Sequence, residues 1–173
     1  MPNVILYIAA SLDGFIATED GGVAWLDRFQ STGEDYGYSD FYQGIGTVIM
    51  GANTYRQELT FGEWSHPNKK VYVLSSQEME KKPNADVEFY SGDLRQLADS
   101  IKAKTEKDIW LAGGSQVLTA FLNQGLVDEI MLFVIPVILG VGIPLFSQIS
   151  PAGPFQLLEV KSYPTGVAKL HYR

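Results

Sequence analysis

The run Asp108–Phe146, DIWLAGGSQVLTAFLNQGLVDEIMLFVIPVILGVGIPLF, places the tightest limits on what this chain can fold into. Ile109, Trp110 and Leu111 are apolar without alternation, as in a strand buried on both faces, and Gly113-Gly114 stops them. Val117, Leu118, Phe121 and Leu122 then recur with helical spacing, and Gly125 stands where a helix-ending glycine belongs. A second apolar strand follows from Ile130 to Ile138 and leads into a glycine-rich loop. Two adjacent glycines let backbone approach a ligand closely, and the first N–H groups of the helix would face an anion there. The spacing lacks the third glycine of the dinucleotide fingerprint, so a plain tight turn stands as the competing reading.

The rest of the chain alternates in the same way. Val4–Ala10 reads as a central strand, Ser11-Leu12-Asp13-Gly14 as a turn, and Phe15-Ile16-Ala17 as a continuation. A polar stretch to Gly33 precedes a helix expected to begin near Glu34-Asp35, with Tyr38, Phe41 and Tyr42 on one side and Gly44 at its end. Thr47–Met50 is a strand, after which Asn53 is placed to cap a short helix carrying Tyr55 and Leu59. Lys70–Leu74 and Val87–Tyr90 are strands, and Asp93 caps a helix whose inner face is Leu94, Leu97, Ala98 and Ile101. Phe155–Tyr163 and Val167–Tyr172 flank Pro164-Thr165-Gly166 as an antiparallel hairpin. One α/β domain over residues 1–173 is expected, with a mixed, mostly parallel central sheet and an antiparallel end.

Composition closes off several functions. A net charge of −7 leaves no basic surplus with which to neutralise nucleic-acid phosphates. With no cysteine there is no disulfide, thiolate nucleophile or cysteine–metal site, and two distant histidines make no zinc site. MPNVILYIAAS lacks the basic leader of a signal peptide, and the apolar run Ile130–Phe146 is short and broken by prolines and glycines. A soluble, cytoplasmic protein that binds neither membrane nor nucleic acid is the expectation. Three strand ends carry small or hydroxyl residues: Gly51-Ala52-Asn53-Thr54, Ser75-Ser76 and Gly113-Gly114-Ser115. Ligands of open α/β sheets bind beyond such carboxyl ends, so a nucleotide with several phosphates suits the set.

Four blocks together carry a family resemblance: IAASLDGFIA at Ile8–Ala17, VIMGANTY at Val48–Tyr55, VYVLSSQ at Val71–Gln77 and IWLAGGSQVLTAFL at Ile109–Leu122. Across nearly its whole length the chain resembles the dihydrofolate reductase-like three-layer fold. Gly125–Phe146 is most similar to the reductase domain of the riboflavin-biosynthesis deaminase–reductase and its stand-alone relatives. The resemblance implies an NADPH-dependent reductase of a pteridine- or pyrimidine-type heterocycle, working as a homodimer that pairs through the Ile130–Ile138 region. It places Ala10 and Ile16 against the nicotinamide and Gly51, Asn53 and Thr54 along the phosphate path. Ser75 and Ser76 would meet the adenosine end. Gly113, Gly114, Ser115, Gln116 and Val117 would hold the pyrophosphate, with a cis Gly113–Gly114 bond.

The family's lone proton-donating carboxylate falls on Asp35, counting back from Val48 without gaps, with Tyr36 and Asp40 as neighbours if the register slips. Three departures stand out. Ala52 replaces the arginine that meets the 2′-phosphate, leaving NADH open as an alternative, with Lys69 or Lys70 as substitutes or as ordinary edge charges. Ala112 replaces the glutamate preceding the glycine turn. The zinc-binding deaminase half has no counterpart in this sequence. A non-catalytic nucleotide-binding module on the same fold is the second reading.

Overall fold

The structure is a computed structural model and describes residues 1–173. Its strands are β1 (Val4–Ser11), β2 (Phe15–Ala17), β3 (Ile45–Gly51), β4 (Lys70–Leu74), β5 (Asp86–Tyr90), β6 (Asp108–Gly113), β7 (Glu129–Ile135), β8 (Ile143–Pro144), β9 (Leu157–Ser162) and β10 (Ala168–Tyr172). The α-helices are α1 (Asp27–Gln30), α2 (Tyr38–Gly44), α3 (Ala52–Leu59), α4 (Leu94–Lys102) and α5 (Ser115–Asn123).

Eight strands form one sheet in the order β5-β4-β3-β6-β1-β7-β10-β9, parallel from β5 to β7 and antiparallel from β7 to β9. The parallel strands are apolar on both faces because helices cover both. On one face Leu97 and Ile101 of α4 and Val117 and Phe121 of α5 pack on Val4, Ile49, Ile109 and Leu111. On the other, Tyr55 of α3, with Phe41 of α2, packs on Ile45, Val48, Met50, Val71 and Val73. Phe29 of α1 joins Phe133, Ile135, Tyr163 and Val167. The short helix Asp27–Gln30, unmarked by periodicity, seats that phenylalanine.

Local signals hold where they are complete. Asp93 caps α4 by accepting from Gln96 N at 2.8 Å. Gly125 ends α5 at φ 62°, with Leu126 N bonded back to Phe121 O at 2.9 Å. Two expectations shift. The helix near Glu34-Asp35 starts instead at Tyr38, because Gly37 sits at φ 79°, a left-handed residue that helix backbone cannot pass through. Asn53 does not cap α3; Gly51 holds that place, and Asn53 lies within the helix, accepting from Arg56 Nη1 at 2.7 Å.

The turn Ser11–Gly14 is tied across the fold. Asp13 accepts from Ser11 Oγ at 2.6 Å and from the N–H groups of Leu139 and Gly140 at 3.1 and 2.7 Å. This fixes the loop after β7 so that β8 pairs with β2. Strand β7 itself is interior, bonded to β1 and β10, and Pro136, which has no N–H to donate, follows it. Exposed apolar side chains lie on the edge strand β9, all six of whose residues are exposed, Leu157, Leu158 and Val160 among them, and also at Leu12, Ile138 and Val141. No helix is long and apolar enough to cross a membrane.

Candidate active site

Strands β3 and β6 are neighbours; β3 runs directly into α3, and β6 turns through Gly114 into α5. Neither helix has a side-chain cap, so their first N–H groups emerge without side-chain partners at the carboxyl edge of the sheet. Glycine makes the close approach possible. A Cβ on Gly51 would stand 3.0 Å from Val117 Cγ2 and 3.8 Å from Gly114 N. Gly113 lies at φ 106°, and the Gly113–Gly114 bond is cis.

In front of these helix starts opens a cleft of about 710 Å³. Ile8, Ala9, Ile16 and Ala17 form one wall, Trp110, Ala112, Gly114 and Ser115 the floor, and Asn53, Thr54, Gln57 and Glu58 of α3 the other wall. Gln57 Nε2 donates to Gly21 O at 3.0 Å and holds the Glu19–Gly22 loop across the rim. Glu19, Asp20 and Glu58 supply three carboxylates, and no lysine or arginine lines the cleft.

A second cavity of about 450 Å³ adjoins it, sharing Tyr7, Ala9 and Leu26, and is bordered by Asp35, Tyr36, Tyr38 and Phe133. Its wall is aromatic: Tyr7 stacks on Phe41 at 4.1 Å and tilts against Phe133 at 4.7 Å. Burial pushes the Tyr38 hydroxyl up to about 12, with the neighbouring Tyr42, Glu58 and Asp35 adding to it.

Of the residues singled out in the sequence, the larger cleft brings together Ile16, Asn53, Thr54, Gly114 and Ser115. Gly51 and Gly113 stand directly behind it. Ala10 packs in the core with Leu6, Leu118 and Ile130, and it is the preceding residue, Ala9, that lines both cavities. Val117 is buried and Gln116 is exposed. Ser75 and Ser76 follow the adjoining strand β4 outside the cleft; Ser75 Oγ accepts from Gln77 N at 3.0 Å and donates to Gln77 O at 2.8 Å. Asp35 is exposed, and its carboxylate accepts from Ser39 N and Ser39 Oγ, both at 3.1 Å.

Lys69 and Lys70 do not stand in for the arginine absent at Ala52. Both lie at the amino end of β4, a strand's length from the cleft. Lys69 Nζ donates to Tyr42 O at 2.9 Å and to Ile45 O, and Lys70 pairs with Asp86 and Glu88 at 2.9 and 3.1 Å.

Sequence reasoning missed Glu58. Its carboxylate meets His66 Nε2, at 3.1 Å from Oε1 and 3.0 Å from Oε2, and only the Oε1 contact has hydrogen-bond geometry. His66 is 2 % exposed. No periodicity marks the stretch 61–69 that carries it; the one available sign was a histidine close to a tryptophan in an otherwise polar loop.

A mostly parallel sheet in this order, with a glycine turn between two helix starts, defines the dihydrofolate reductase-like fold. The chain belongs to the RibD C-terminal domain family, whose model matches residues 2–169. It is 38% identical over 171 residues to the uncharacterized protein YwjB of Bacillus subtilis (strain 168), covering 98% of this chain and 97% of that one. It is similar in structure to a protein of Shewanella sp. PV-4 described as belonging to riboflavin biosynthesis, with TM-score 0.87, 27% identity, and 98% and 97% of the two chains covered. It also superposes on the Thermotoga maritima diaminohydroxyphosphoribosylaminopyrimidine deaminase/5-amino-6-(5-phosphoribosylamino)uracil reductase. There the TM-score is 0.74 at 19% identity, with 99% of this chain and 56% of that one covered, a likeness of fold alone.

Proposed function

We propose that the protein is an NAD(P)H-dependent reductase of a pteridine- or pyrimidine-type heterocycle. The observation that carries this reading is the meeting of two uncapped helix starts across Gly51 and Gly113–Gly114 at the head of a cleft of about 710 Å³. Paired N–H groups and two helix dipoles favour a diphosphate there, and the flat apolar walls at Ala9, Ile16 and Trp110 suit aromatic rings. In this reading Asn53, Thr54, Gly114 and Ser115 hold the diphosphate, Ile16 faces the nicotinamide, and Ser75 and Ser76 serve the adenosine end outside the cleft. A bound reduced nicotinamide supplies hydride.

The protein's own groups then decide the ligand. Three carboxylates and no cation at the cleft disfavour a second phosphorylated molecule beside the cofactor, so the substrate is a heterocycle without a phosphate arm. Ala52 offers nothing to a 2′-phosphate, and NADH and NADPH are both accepted. Reduction also consumes a proton. Asp35, at the wall of the smaller cavity, holds the place that the family register gives to the donor.

The test is cofactor oxidation, with NADPH and with NADH, against a panel of pterins and uracils with and without a ribose phosphate. Oxidation with a phosphate-free ring is expected. Tight cofactor binding with no oxidation by any member would instead establish the binding-module reading.

A second copy of the chain is proposed as partner, covering Leu157, Leu158 and Val160 on the open edge of β9. An edge with unpaired backbone and three exposed aliphatic side chains pairs readily with its own kind. Light scattering should give twice the 19.1 kDa chain mass, and Val160→Lys should halve it. A monomer mass for the parent protein at micromolar concentration would remove the dimer.

A further inference from the structure

Glu58 is the one carboxylate at the larger cleft that has a titratable partner behind it. It reaches the cleft from the last turn of α3, with its side chain 13 % exposed. Behind it His66 is shut off from solvent, its ring enclosed by Trp64 at 5.3 Å, Trp110 at 5.4 Å and Tyr42 at 6.3 Å. The imidazole makes one side-chain hydrogen bond, Nε2 to Glu58; Nδ1 is buried without a partner in the protein, as is Glu58 Oε2. A histidine serving only as packing leaves no reason for an unpaired polar nitrogen in such a site, where an apolar ring would do as well.

We propose that Glu58 and His66 form a proton-holding pair that supplies the larger cleft, with Glu58 the group that meets the substrate and His66 the store behind it. The proposal rests on the reductase reading and moves the proton from Asp35 to Glu58. The contrast between the two carboxylates favours this. Both oxygens of Asp35 are occupied by Ser39, and it borders only the smaller cavity. Glu58 faces the cleft that contains the glycine turn, and its bond to the imidazole accommodates one shared proton on either side.

The step balances. When a ring C=N accepts hydride at carbon from the reduced nicotinamide, a C–H bond forms and the π pair moves to nitrogen. That nitrogen takes the proton of the Glu58 carboxyl. The shared proton is then spent, leaving Glu58 as carboxylate and His66 as neutral imidazole until the pair is reprotonated through the open cleft. The other ionisable groups facing Glu58 are Tyr38 and Tyr42 on α2, Tyr55 on α3, and Glu19 and Asp20 across the rim. Burial raises all three phenols above their ordinary value, so at neutral pH they stay protonated and do not compete as bases.

Three proteins decide the matter: the parent, Glu58→Gln and Asp35→Asn. Each is measured for NADPH affinity, for oxidation of NADPH against the pterin and uracil panel between acid and alkaline pH, and by nitrogen-edited NMR of the histidines. Glu58→Gln should bind NADPH within about twofold of the parent and lose turnover by about 100-fold, the loss growing as pH rises. Asp35→Asn should lose less turnover than Glu58→Gln, with a loss that does not grow as pH rises. Independently of activity, the parent should show a slowly exchanging proton coupled to His66 Nε2, moved upfield and exchanging faster in Glu58→Gln; with only two histidines in the chain the assignment is direct. Parent-like turnover in Glu58→Gln, a turnover loss confined to Asp35→Asn, or an Nε2 proton indifferent to Glu58→Gln overturns the proposal. A parent protein that oxidises cofactor with no member of the panel overturns the reductase reading instead.

Discussion

Gly114→Val should abolish measurable NADPH binding while leaving the fold intact. The choice of glycine matters. Alanine at Gly51 would press its Cβ to 3.0 Å from Val117 Cγ2, and any side chain at Gly113 would be held at φ 106°, so both would disturb the protein itself. At Gly114 the backbone is ordinary, φ −62°, and the nearest atom to an added Cβ is Thr54 Oγ1 at 3.4 Å. A Cβ there meets only that ordinary contact, and the methyl groups of valine would occupy the space over the first turn of α5 that a diphosphate must enter. Affinity is expected to fall by more than about 100-fold, or roughly 2.7 kcal/mol, read by energy transfer from Trp110 to the reduced nicotinamide, with the melting temperature as control. Parent-like affinity in a folded variant would mean that the cofactor, if any, binds elsewhere.

Glu129→Ala should cost the protein stability without touching the cleft. Glu129 begins β7 with its side chain 6 % exposed, and its carboxylate gathers the two ends of the chain. The donors are His171 Nε2 at 2.7 Å, Arg173 Nη2 at 2.6 Å and Nε at 3.2 Å, and Asn3 Nδ2 at 3.2 Å. Burial pushes the Glu129 carboxyl up, but the bonds from Arg173 and His171 outweigh it and hold the group below its ordinary value of 4.5. Its contribution is therefore present above the unfolded-state value and is lost as pH falls through the folded one. Alanine removes an acceptor of charged hydrogen bonds, worth about 2 kcal/mol, and should lower the melting temperature by roughly 4–8 °C at neutral pH. The gap between parent and variant should close as the pH drops below 4.5. A gap that stays constant into strong acid would show that the carboxylate's charge contributes nothing.

The sequence made legible whatever is decided locally. Asp93 and Gly125 announce their helix ends because a cap is a contact between neighbours, and the continuous apolar runs at Val4–Ala10 and Lys70–Leu74 announce strands covered on both faces. Gly51 took the cap position expected of Asn53 for a reason no local pattern contains: Val117, far along the chain on α5, leaves no room for a side chain. The pairing of β2 with β8 depends on Asp13 gripping Leu139 and Gly140, a contact that neither stretch advertises alone. The glycine turn and the α3 start were readable as a candidate site because they are motifs. Glu58 and His66 were not, since a carboxylate on a helix and a histidine in a loop become a pair only when the loop 61–69 folds back.

Helix α3 spans only Ala52–Leu59, yet Asn53 and Thr54 stand at the proposed phosphate end of the cleft and Glu58 at the proposed acid end. With a rise of about 1.5 Å per residue, Asn53 and Glu58 are separated by about 7.5 Å along its axis. In the proposed reading the helix would act as a ruler between the anchor of one molecule and the reacting edge of another. Tyr55, buried on its inner face with its hydroxyl donated to Glu80 O at 2.7 Å, keeps that ruler from sliding. In that reading selection by length follows: a ring system too small to reach from the cofactor to Glu58 would leave Glu58 facing water, and one too large would press on the rim that Gln57 ties to Gly21.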